Sequence, residues 1–367
     1  MTAKAYLGLM SGTSMDGIDA VLVYFENNAI SIQSTATLAY PHDVRERLER
    51  LSQNHGTPDE LGELDHRIGG LFAEAACRVI ANSGLPPEQI AAIGSHGQTI
   101  RHQPHGQHPF SLQLGDPNLI AEHTGITTVA DFRRRDLAAG GEGAPLVPAF
   151  HQAFFGSAHE DRCILNIGGI ANITHLPARD QDSVSGFDTG PGNALVDAWC
   201  QHHTGRPYDH DGQWAAQGQV DTELLTDMLG DGYFAQVAPK STGKEKFNLA
   251  WIKTHVARHK DIMPADVQRT LLELTVQSVA RELEKTGGST IYVCGGGARN
   301  PVLMTALTQA CADRRVESTK VLGLDPQWVE ATAFAWLASQ TIDARPGNLP
   351  KVTGARGKRI LGAIYQP

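Results

Sequence analysis

Two similar patterns of strand, turn and strand, one early in each half of the chain, constrain the fold more than any other feature of the sequence. In the first half, residues 5–10 and 18–25 are rich in apolar, β-favouring side chains, and the segment between them is rich in Gly, Ser and Asp. In the second half, residues 162–167 and 170–176 have the same character and flank two consecutive glycines. The shared order of elements predicts an α/β fold with two related halves that face a cleft.

Segments with a helical spacing of apolar residues follow these strands. In residues 59–83, for example, Leu64, Ile68, Phe72 and Ala75 lie on one helical face. The predicted helices span residues 43–51, 59–83, 194–203, 266–285, 301–314 and 330–340, further strands span 29–36, 90–95 and 290–294, and the segments 95–99 and 186–193 are predicted as loops or turns. A chain of 367 residues is long enough for two or three domains.

Charge and cysteine content exclude several classes of protein. The chain carries 31 Lys and Arg against 40 Asp and Glu, a net charge of −9, which argues against a general nucleic-acid or membrane-surface binder. Its five cysteines are widely spaced and form no Cys-x-x-Cys pair, so neither a disulfide framework nor a zinc ribbon is indicated. No stretch resembles a signal peptide or a membrane-spanning helix. We therefore expect a soluble, cytoplasmic protein without nucleic-acid or membrane partners.

The loop between the first two predicted strands has the composition of an anion-binding turn. Successive backbone N–H groups in such a turn, with Thr and Ser hydroxyls beside them, bind phosphate, and a neighbouring carboxylate holds magnesium through water. An ordinary hairpin loop uses the same residue types, so both interpretations stay open. The residues concerned are Gly12, Thr13, Ser14, Met15, Asp16 and Gly17, with Asp16 as the candidate magnesium ligand.

Two more glycine turns follow strands in the second half. Gly168-Gly169 form a second phosphate-sized hairpin, and Gly295-Gly296-Gly297 lie between a predicted strand and a helix, the setting of a nucleotide-binding turn. The triplet does not complete a G-x-G-x-x-G fingerprint because Asn300 occupies the third position. The segment 239–245 lacks the first Gly and the final Ser or Thr of a Walker A loop. We interpret that segment as a solvated charged loop, with an approach of Lys240 and Lys244 to a phosphate as the alternative.

Candidate catalytic and sugar-binding residues lie in other polar segments. Asp188 lies in a Gly-rich turn before a helix, a rigid setting that suits a general base, although a turn or capping Asp is the more frequent interpretation. Arg134 lies in a basic segment where a guanidinium can bind a carboxylate bidentately, and a surface charge run is the alternative. The polar segment around His96 and Gln98 has the character of a ligand-contacting loop.

Five motifs occur in order along the chain and together point to one family. They are GLMSGTSMDGID at 8–19, SHGQT at 95–99, NIGGIAN at 166–172, GFDTGP at 186–191 and CGGGA at 294–298. From residue 5 to residue 365 the sequence strongly resembles the anhydro-N-acetylmuramic acid kinases. That family belongs to the actin-like superfamily of sugar-kinase and heat-shock-chaperone ATPases. The resemblance implies two ribonuclease-H-like domains, residues 1–130 with 353–367 and residues 131–352, with ATP in a central cleft.

The resemblance also implies the reaction and its cofactors. The family hydrolyses the 1,6-anhydro ring of 1,6-anhydro-N-acetylmuramic acid and phosphorylates O6 with ATP and magnesium, giving N-acetylmuramic acid 6-phosphate in peptidoglycan recycling. Asp188 matches the catalytic Asp of the family, and Glu330, at the start of a predicted helix, is the second catalytic candidate, with a helix-capping Glu as its alternative. The expected partners are the sugar and a second copy of the chain.

Site residues follow from the matched motifs. Those implied in nucleotide binding are Gly12, Thr13, Ser14, Met15, Asp16, Gly17, Ile18, Asp19, Gly168, Gly169, Gly295, Gly296 and Gly297. Those implied in sugar binding are Ser14, His96, Gln98, Arg134, Asp188 and Thr189.

Two other classes of protein are weighed against this interpretation. A dinucleotide-dependent oxidoreductase is disfavoured by Asn300 and by the strand–turn–strand pattern at the start of the chain. A non-enzymatic ATP switch shares the predicted fold, but the chain has no spare length for a peptide-binding domain. ATP turnover measured with and without the anhydro-sugar distinguishes the kinase from the switch.

Overall fold

The computed structural model describes residues 4–26, 29–180 and 183–367. Contacts divide the chain into two compact units. The first contains the residues up to Phe154 together with Trp328–Pro367, and the second contains Phe155–Gln327. Among the described residues, no helix is long and apolar enough to cross a membrane.

The first unit is built on one mixed sheet. Its strands are β1 (Ala5–Ser11), β2 (Gly17–Glu26), β3 (Ala29–Ala39), β4 (Ile90–Gln103), β5 (Phe110–Leu114), β6 (Thr128–Ala130) and, at the end of the chain, β12 (Ala363–Tyr365). The order is β12-β6-β4-β1-β2-β3, with β5 paired to β4. Strand β2 pairs antiparallel with β1 and with β3, whereas β1 pairs parallel with β4 and β4 pairs parallel with β6.

Helices cover this sheet. They are α1 (His42–Ser52), α2 (Pro58–Ser83), α3 (Pro117–Thr124), α4 (Phe132–Ala138), α5 (Val147–Phe155), α11 (Val329–Ile342) and α12 (Pro350–Thr353). Helix α2 begins where the Thr57 hydroxyl accepts the Glu60 N–H at 3.1 Å, and it ends at Gly84 in the left-handed conformation. The predicted apolar face of α2 is buried in the core with β1 and β2.

Two glycines allow α11 to pack closely on the sheet. A Cβ on Gly8 of β1 would lie 1.8 Å from the carbonyl oxygen of Ala331, and a Cβ on Gly94 of β4 would lie 2.0 Å from that of Phe334. Real side chains do not tolerate such distances, so these two positions require glycine. The close approach fixes the start of α11, and with it Glu330, relative to the sheet.

The second unit repeats the same topology. Its strands are β7 (Arg162–Ile167), β8 (Ile170–Leu176), β9 (Ser185–Pro191), β10 (Thr290–Cys294) and β11 (Arg315–Ser318), and its helices are α6 (Ala194–Thr204), α7 (Thr222–Leu229), α8 (Leu249–Val256), α9 (Pro264–Lys285) and α10 (Pro301–Ala310). The order is β11-β10-β7-β8-β9, with β7, β8 and β9 antiparallel and β7, β10 and β11 parallel. Each unit therefore has three antiparallel strands followed by two parallel to the first. The prediction of an α/β fold with two ribonuclease-H-like halves is confirmed.

Two segments predicted as loops are strands. Residues 95–99 continue β4, which pairs with β1 up to Gln98 and then with β5. Residues 186–191 belong to β9, which pairs antiparallel with β8. Their glycine and polar content favours turns locally, but pairing with neighbouring strands overrides that preference.

The units divide the chain at positions other than the predicted domain boundaries. The predicted boundaries at 130/131 and 352/353 lie inside the first unit. Helix α4 is tied to the end of the chain because the buried Asp136 carboxylate accepts hydrogen bonds from Asn348 at 2.8 Å and Thr353 at 2.9 Å. Contacts between residues far apart in sequence thus set the boundaries.

Candidate functional site

The loop after β1 presents its polar groups to solvent and its apolar groups to the core. The side chains of Thr13 and Asp16 are exposed, whereas Met15 and Ile18 are buried at 7% and 0% exposure. Met15 has a positive φ of 59° and its N–H donates to the Gly12 carbonyl at 3.2 Å, which closes a tight turn. The predicted loop thus divides into residues able to meet a ligand and residues that anchor it.

Gln98 holds the base of this loop. Its Nε2 donates to the Gly12 carbonyl at 3.1 Å, and its Oε1 accepts from the Ser11 hydroxyl at 2.6 Å. Ser11 also contacts the Gly17 carbonyl at 2.7 Å. Because Gln98 is fully buried, its position favours a role in shaping the loop over direct contact with a sugar.

Asp16 and Asp19 differ in their surroundings. The Asp16 side chain is 66% exposed, and its Oδ1 lies 3.9 Å from Arg45. Oδ1 of Asp19 accepts a hydrogen bond from the Thr37 hydroxyl at 2.6 Å, which ties β2 to β3. Asp16 is therefore the more accessible carboxylate of the loop.

A buried His–Arg pair lies next to Glu330 in the first unit. Nε and Nη2 of Arg133 lie 3.1 and 2.9 Å from His96 Nε2, and Arg133 Nη1 donates to the Gly143 carbonyl at 2.9 Å. Burial, with the neighbouring guanidinium, holds the pKa of His96 well below its ordinary value, so the imidazole is neutral and accepts at Nε2. Burial lowers the pKa of Arg133 to about 10, and the charge of Glu330 opposes that shift.

Arg134, unlike the preceding Arg133, has an exposed side chain. Its side chain is 55% exposed, with Nε 3.3 Å from Asp131 Oδ1. The structure therefore separates the basic segment into Arg133, which is engaged with His96, and Arg134, which is exposed. The sequence does not distinguish Arg133 from its neighbours, because spacing alone does not show which arginine turns inward.

In the second unit, the Gly168-Gly169 hairpin is tied to the start of α6. The Gly169 carbonyl accepts the N–H groups of Gly192 at 2.9 Å and Ala194 at 3.1 Å, and the Gly168 carbonyl accepts that of Asn193 at 2.8 Å. A Cβ on Gly168 would meet nothing closer than 3.7 Å. The hairpin is rigidly held at its carbonyls while space remains beside Gly168.

The glycine triplet connects β10 to α10 through a short 3₁₀ turn, Gly296–Arg299. Gly295 has φ of 79°, and a Cβ there would lie 2.4 Å from Asn166 Oδ1, so no other residue fits. That Asn166 oxygen is buried and has no hydrogen-bond partner among the described residues. Asn300, at the position of the missing third Gly, caps α10 by accepting from Val302 and Leu303.

Asp188, which lies on β9, is hydrogen-bonded through both its side chain and its backbone. Its Oδ2 accepts the Thr242 N–H at 3.0 Å and the Ser241 hydroxyl at 3.2 Å. Its backbone N–H donates to the Lys240 carbonyl at 3.0 Å, and its carbonyl accepts the Tyr233 hydroxyl at 2.7 Å. The pairing of β8 and β9 shifts register next to Asp188, a local irregularity typical of functional sites.

The segment 239–245 is predicted as a solvated charged loop, but Lys240 within it is buried. The Lys240 side chain is 1% exposed and lies 2.8 Å from Glu282 of α9. The sequence does not predict a role for Ser241, Thr242 or Tyr233, because nothing in the local sequence shows that this segment returns to β9. The predicted sugar contact Thr189 is likewise fully buried, with its hydroxyl bonded to the Ala171 carbonyl at 3.2 Å.

Metal-ligating side chains do not cluster in the part of the chain that the structure describes. Within residues 4–26, 29–180 and 183–367, no three His, Cys, Asp or Glu side chains come together in a way that could hold an ion. A cation carried mainly by phosphate oxygens needs only one or two protein carboxylates.

The chain matches a known family over nearly its whole length. A family model described as anhydro-N-acetylmuramic acid kinase matches residues 4–367. A protein of that name from Xanthomonas campestris pv. campestris is 53% identical over 367 residues, which cover 98% of this chain and 97% of the relative. One from Shewanella halifaxensis is 50% identical and covers 100% of this chain and 99% of the relative.

A solved structure is also similar. The activator of the 2-hydroxyisocaproyl-CoA dehydratase from Clostridium difficile, with bound ADPNP, aligns with a TM-score of 0.46 and 13% sequence identity, covering 92% of this chain and 97% of that chain.

Proposed function

The chain belongs to the anhydro-N-acetylmuramic acid kinase family, and on that premise we propose that it hydrolyses the 1,6-anhydro ring of 1,6-anhydro-N-acetylmuramic acid and transfers the γ-phosphoryl group of ATP to O6. The product is N-acetylmuramic acid 6-phosphate, a step of peptidoglycan recycling and amino-sugar catabolism. The observation that carries the residue assignment is the Asp188 carboxylate, which is oriented by Ser241 and Thr242.

The substrate explains why a base is needed. O6 is locked in an intramolecular acetal and has no proton to lose, so a simple kinase attack from O6 cannot begin. Water has to add to the anomeric carbon while O6 leaves and meets the γ-phosphoryl group. Asp188 takes the proton from that water, and its oxygen is oriented for the purpose by two hydrogen-bond donors.

The loop of Gly12–Asp19 suits the phosphates of ATP. The exposed Thr13 hydroxyl and the half-buried Ser14 lie in a turn whose base is held by Gln98. The 66% exposed Asp16 carboxylate fits a magnesium ion held through water. Magnesium, when bound, neutralises the charge that develops on the phosphates. In the second unit, Gly168 and Gly169 are assigned to the phosphates and Gly295–Gly297 to the adenosine.

Glu330 and the residues near it are assigned to the sugar. Glu330 lies in the first turn of α11. Its charge lies near Arg133, which also binds the neutral His96. We assign Glu330 to orienting the water or the sugar. The exposed Arg134 is assigned to the carboxylate of the lactyl group.

Replacement of Asp188 tests the assignment. Asp188→Asn keeps the shape and both hydrogen bonds at the oxygen but removes the base, so we expect a folded protein that binds ATP and loses turnover by about 10²–10⁴-fold. Asp313→Asn, at a carboxylate whose side chain is 80% exposed, is the matched control and stays fully active. Turnover of the anhydro-sugar by Asp188→Asn at the native rate removes Asp188 from the base role.

Water labelled with heavy oxygen tests the coupled reaction. The label is expected at the anomeric hydroxyl of the product and not in the phosphate. Label in released phosphate instead means that ATP is hydrolysed without transfer. ATP hydrolysis at the same rate without sugar favours the non-enzymatic switch.

Assembly and location remain predictions of the sequence. A homodimer is tested by sedimentation, and the cytoplasmic location by fractionation of cells that express the protein.

A further inference from the structure

A buried ion pair lies directly behind the segment that holds Asp188. The Lys240 and Glu282 side chains are 1% and 4% exposed, and their Nζ and Oε1 atoms are 2.8 Å apart. Lys240 Nζ also lies 3.5 Å from the Tyr233 carbonyl and 4.8 Å from the centre of the Tyr233 ring. One ammonium group therefore connects α9, the residue Tyr233 and the segment 240–242.

Stability alone does not explain such a pair. Moving two charges out of water is costly, and replacing a buried ion pair by apolar side chains of similar size is often neutral or stabilising. A buried ion pair is better explained by a role in holding the chain in one particular conformation. Here the conformation in question is that of the backbone around Asp188.

The backbone of Lys240 and the residue Tyr233, which the Lys240 ammonium contacts, are both hydrogen-bonded to Asp188. The Lys240 carbonyl accepts the Asp188 N–H at 3.0 Å, and the next two residues supply the Ser241 and Thr242 donors to its carboxylate. The hydroxyl of Tyr233, whose carbonyl Lys240 contacts, donates to the Asp188 carbonyl at 2.7 Å. Four hydrogen bonds to Asp188 thus depend on two segments that a single ammonium holds together.

We propose that Lys240 and Glu282 are positioning residues that set the orientation of the Asp188 carboxylate. This inference rests on the proposed function, in which Asp188 is the general base. The pair fixes the backbone of residues 240–242, and that backbone fixes the oxygen that takes the proton. A misplacement of about 1 Å in such a group costs about 10²-fold in rate.

The double variant Lys240→Met/Glu282→Leu removes both charges and keeps the apolar volume. We expect it to fold with a melting temperature close to that of the native protein. Its kcat falls by about ten- to a hundredfold, while KM for ATP stays within about twofold because neither residue is among those assigned to the nucleotide. Hydrogen exchange in residues 238–244 becomes faster, because the segment has lost its anchor.

Lys285→Met is the matched control. Lys285 binds the same Glu282 oxygen at 3.0 Å, but its side chain is 60% exposed and it contacts none of the residues around Asp188 for which the structure gives hydrogen bonds. We expect it to leave kcat and exchange unchanged. A loss of kcat in Lys285→Met equal to that in the double variant overturns the proposal, because the effect then follows the charge of Glu282 and not the anchor.

Glu282→Gln keeps the inference testable if the double variant does not fold. It retains a hydrogen bond to Lys240 and removes only the charge, so an intermediate loss of kcat is expected. Native kcat and native exchange in both variants overturn the proposal. If the native protein does not turn over the anhydro-sugar, the proposed function fails. The positioning role is tested separately, because unchanged hydrogen exchange in residues 238–244 of the double variant shows that the Lys240–Glu282 pair does not anchor this segment.

Discussion

Replacing Gly8 by Ala tests whether the close packing of α11 on the sheet contributes to the stability of the first unit. The new methyl group would lie 1.8 Å from the Ala331 carbonyl oxygen, and side chains essentially never approach a neighbour closer than 3.0 Å. The atom in the way belongs to the backbone, so a rotamer change cannot relieve the overlap. Helix α11 must move away from β1 by about 1.2 Å, given the two distances above.

The size of the effect follows from that displacement. Overpacking of a well-packed core costs about 1–3 kcal/mol, and a gap of about 1 Å forfeits up to half of the dispersion energy of the atoms that line it. Phe334, Ala335 and Ala338 of α11 are buried in this contact. We therefore expect Gly8→Ala to lower the free energy of unfolding of the first unit by about 3 kcal/mol.

A second substitution sharpens the test. A methyl group on Gly94 would meet the Phe334 carbonyl of the same helix at 2.0 Å. One movement of α11 relieves both overlaps, so the double variant Gly8→Ala/Gly94→Ala should cost less than the sum of the two single variants. Costs that simply add would show that the two sites relax independently and would contradict a rigid α11.

The assay is urea unfolding combined with hydrogen exchange in residues 5–11 and 329–342. Gly70→Ala is the control, since Gly70 lies within α2 and a Cβ there meets nothing within 4 Å. It should stabilise the protein by about 0.5–1 kcal/mol, because alanine favours the helix. Destabilisation below about 0.5 kcal/mol by Gly8→Ala, with unchanged exchange in α11, would show that the close packing of α11 on β1 does not require glycine.

Two other predictions concern the first unit. Burial lowers the pKa of His151 to about 3, so below about pH 6.5 the unfolded chain binds a proton that the folded chain does not, and the free energy of unfolding falls as the pH drops from there towards 3. His151→Phe should reduce that slope by up to about 1.4 kcal/mol per pH unit at the acidic end of urea unfolding measured between pH 4.5 and 7, and an unchanged slope would contradict it. Gln98→Leu leaves the Gly12 carbonyl and the Ser11 hydroxyl without their side-chain partner, so KM for ATP should rise about tenfold. A native KM would show that the loop keeps its shape without Gln98.

The turns of the candidate site could be predicted because turn preferences are local. The loop between β1 and β2, the Gly168-Gly169 hairpin and the glycine triplet occur where the motifs placed them, since strand and turn preferences are encoded within a few residues. Strands β7 and β8 have the predicted bounds. Where polar residues lie within paired strands, as in 95–99 and 186–191, local preference gave a loop and the structure has a strand.

Whether a polar side chain is buried within the protein or exposed to solvent could not be predicted from the sequence. Gln98 and Thr189 were expected to contact sugar, and both are fully buried and hydrogen-bonded within the protein. Arg133 turns towards His96 while Arg134 remains exposed. These outcomes depend on which neighbours the fold supplies, and a one-dimensional pattern does not contain that information.

The two-part α/β architecture and the glycine-rich segments, including the one that contains Asp188, could be predicted from the sequence, because each of these features is encoded in a short run of residues. The tertiary structure alone decided how that Asp is held. Asp188 and Thr242 are 54 positions apart, and Lys240 and Glu282 are 42 apart. The orientation of the carboxylate is therefore a property of long-range packing, in which a buried charge on one segment fixes the donors on another.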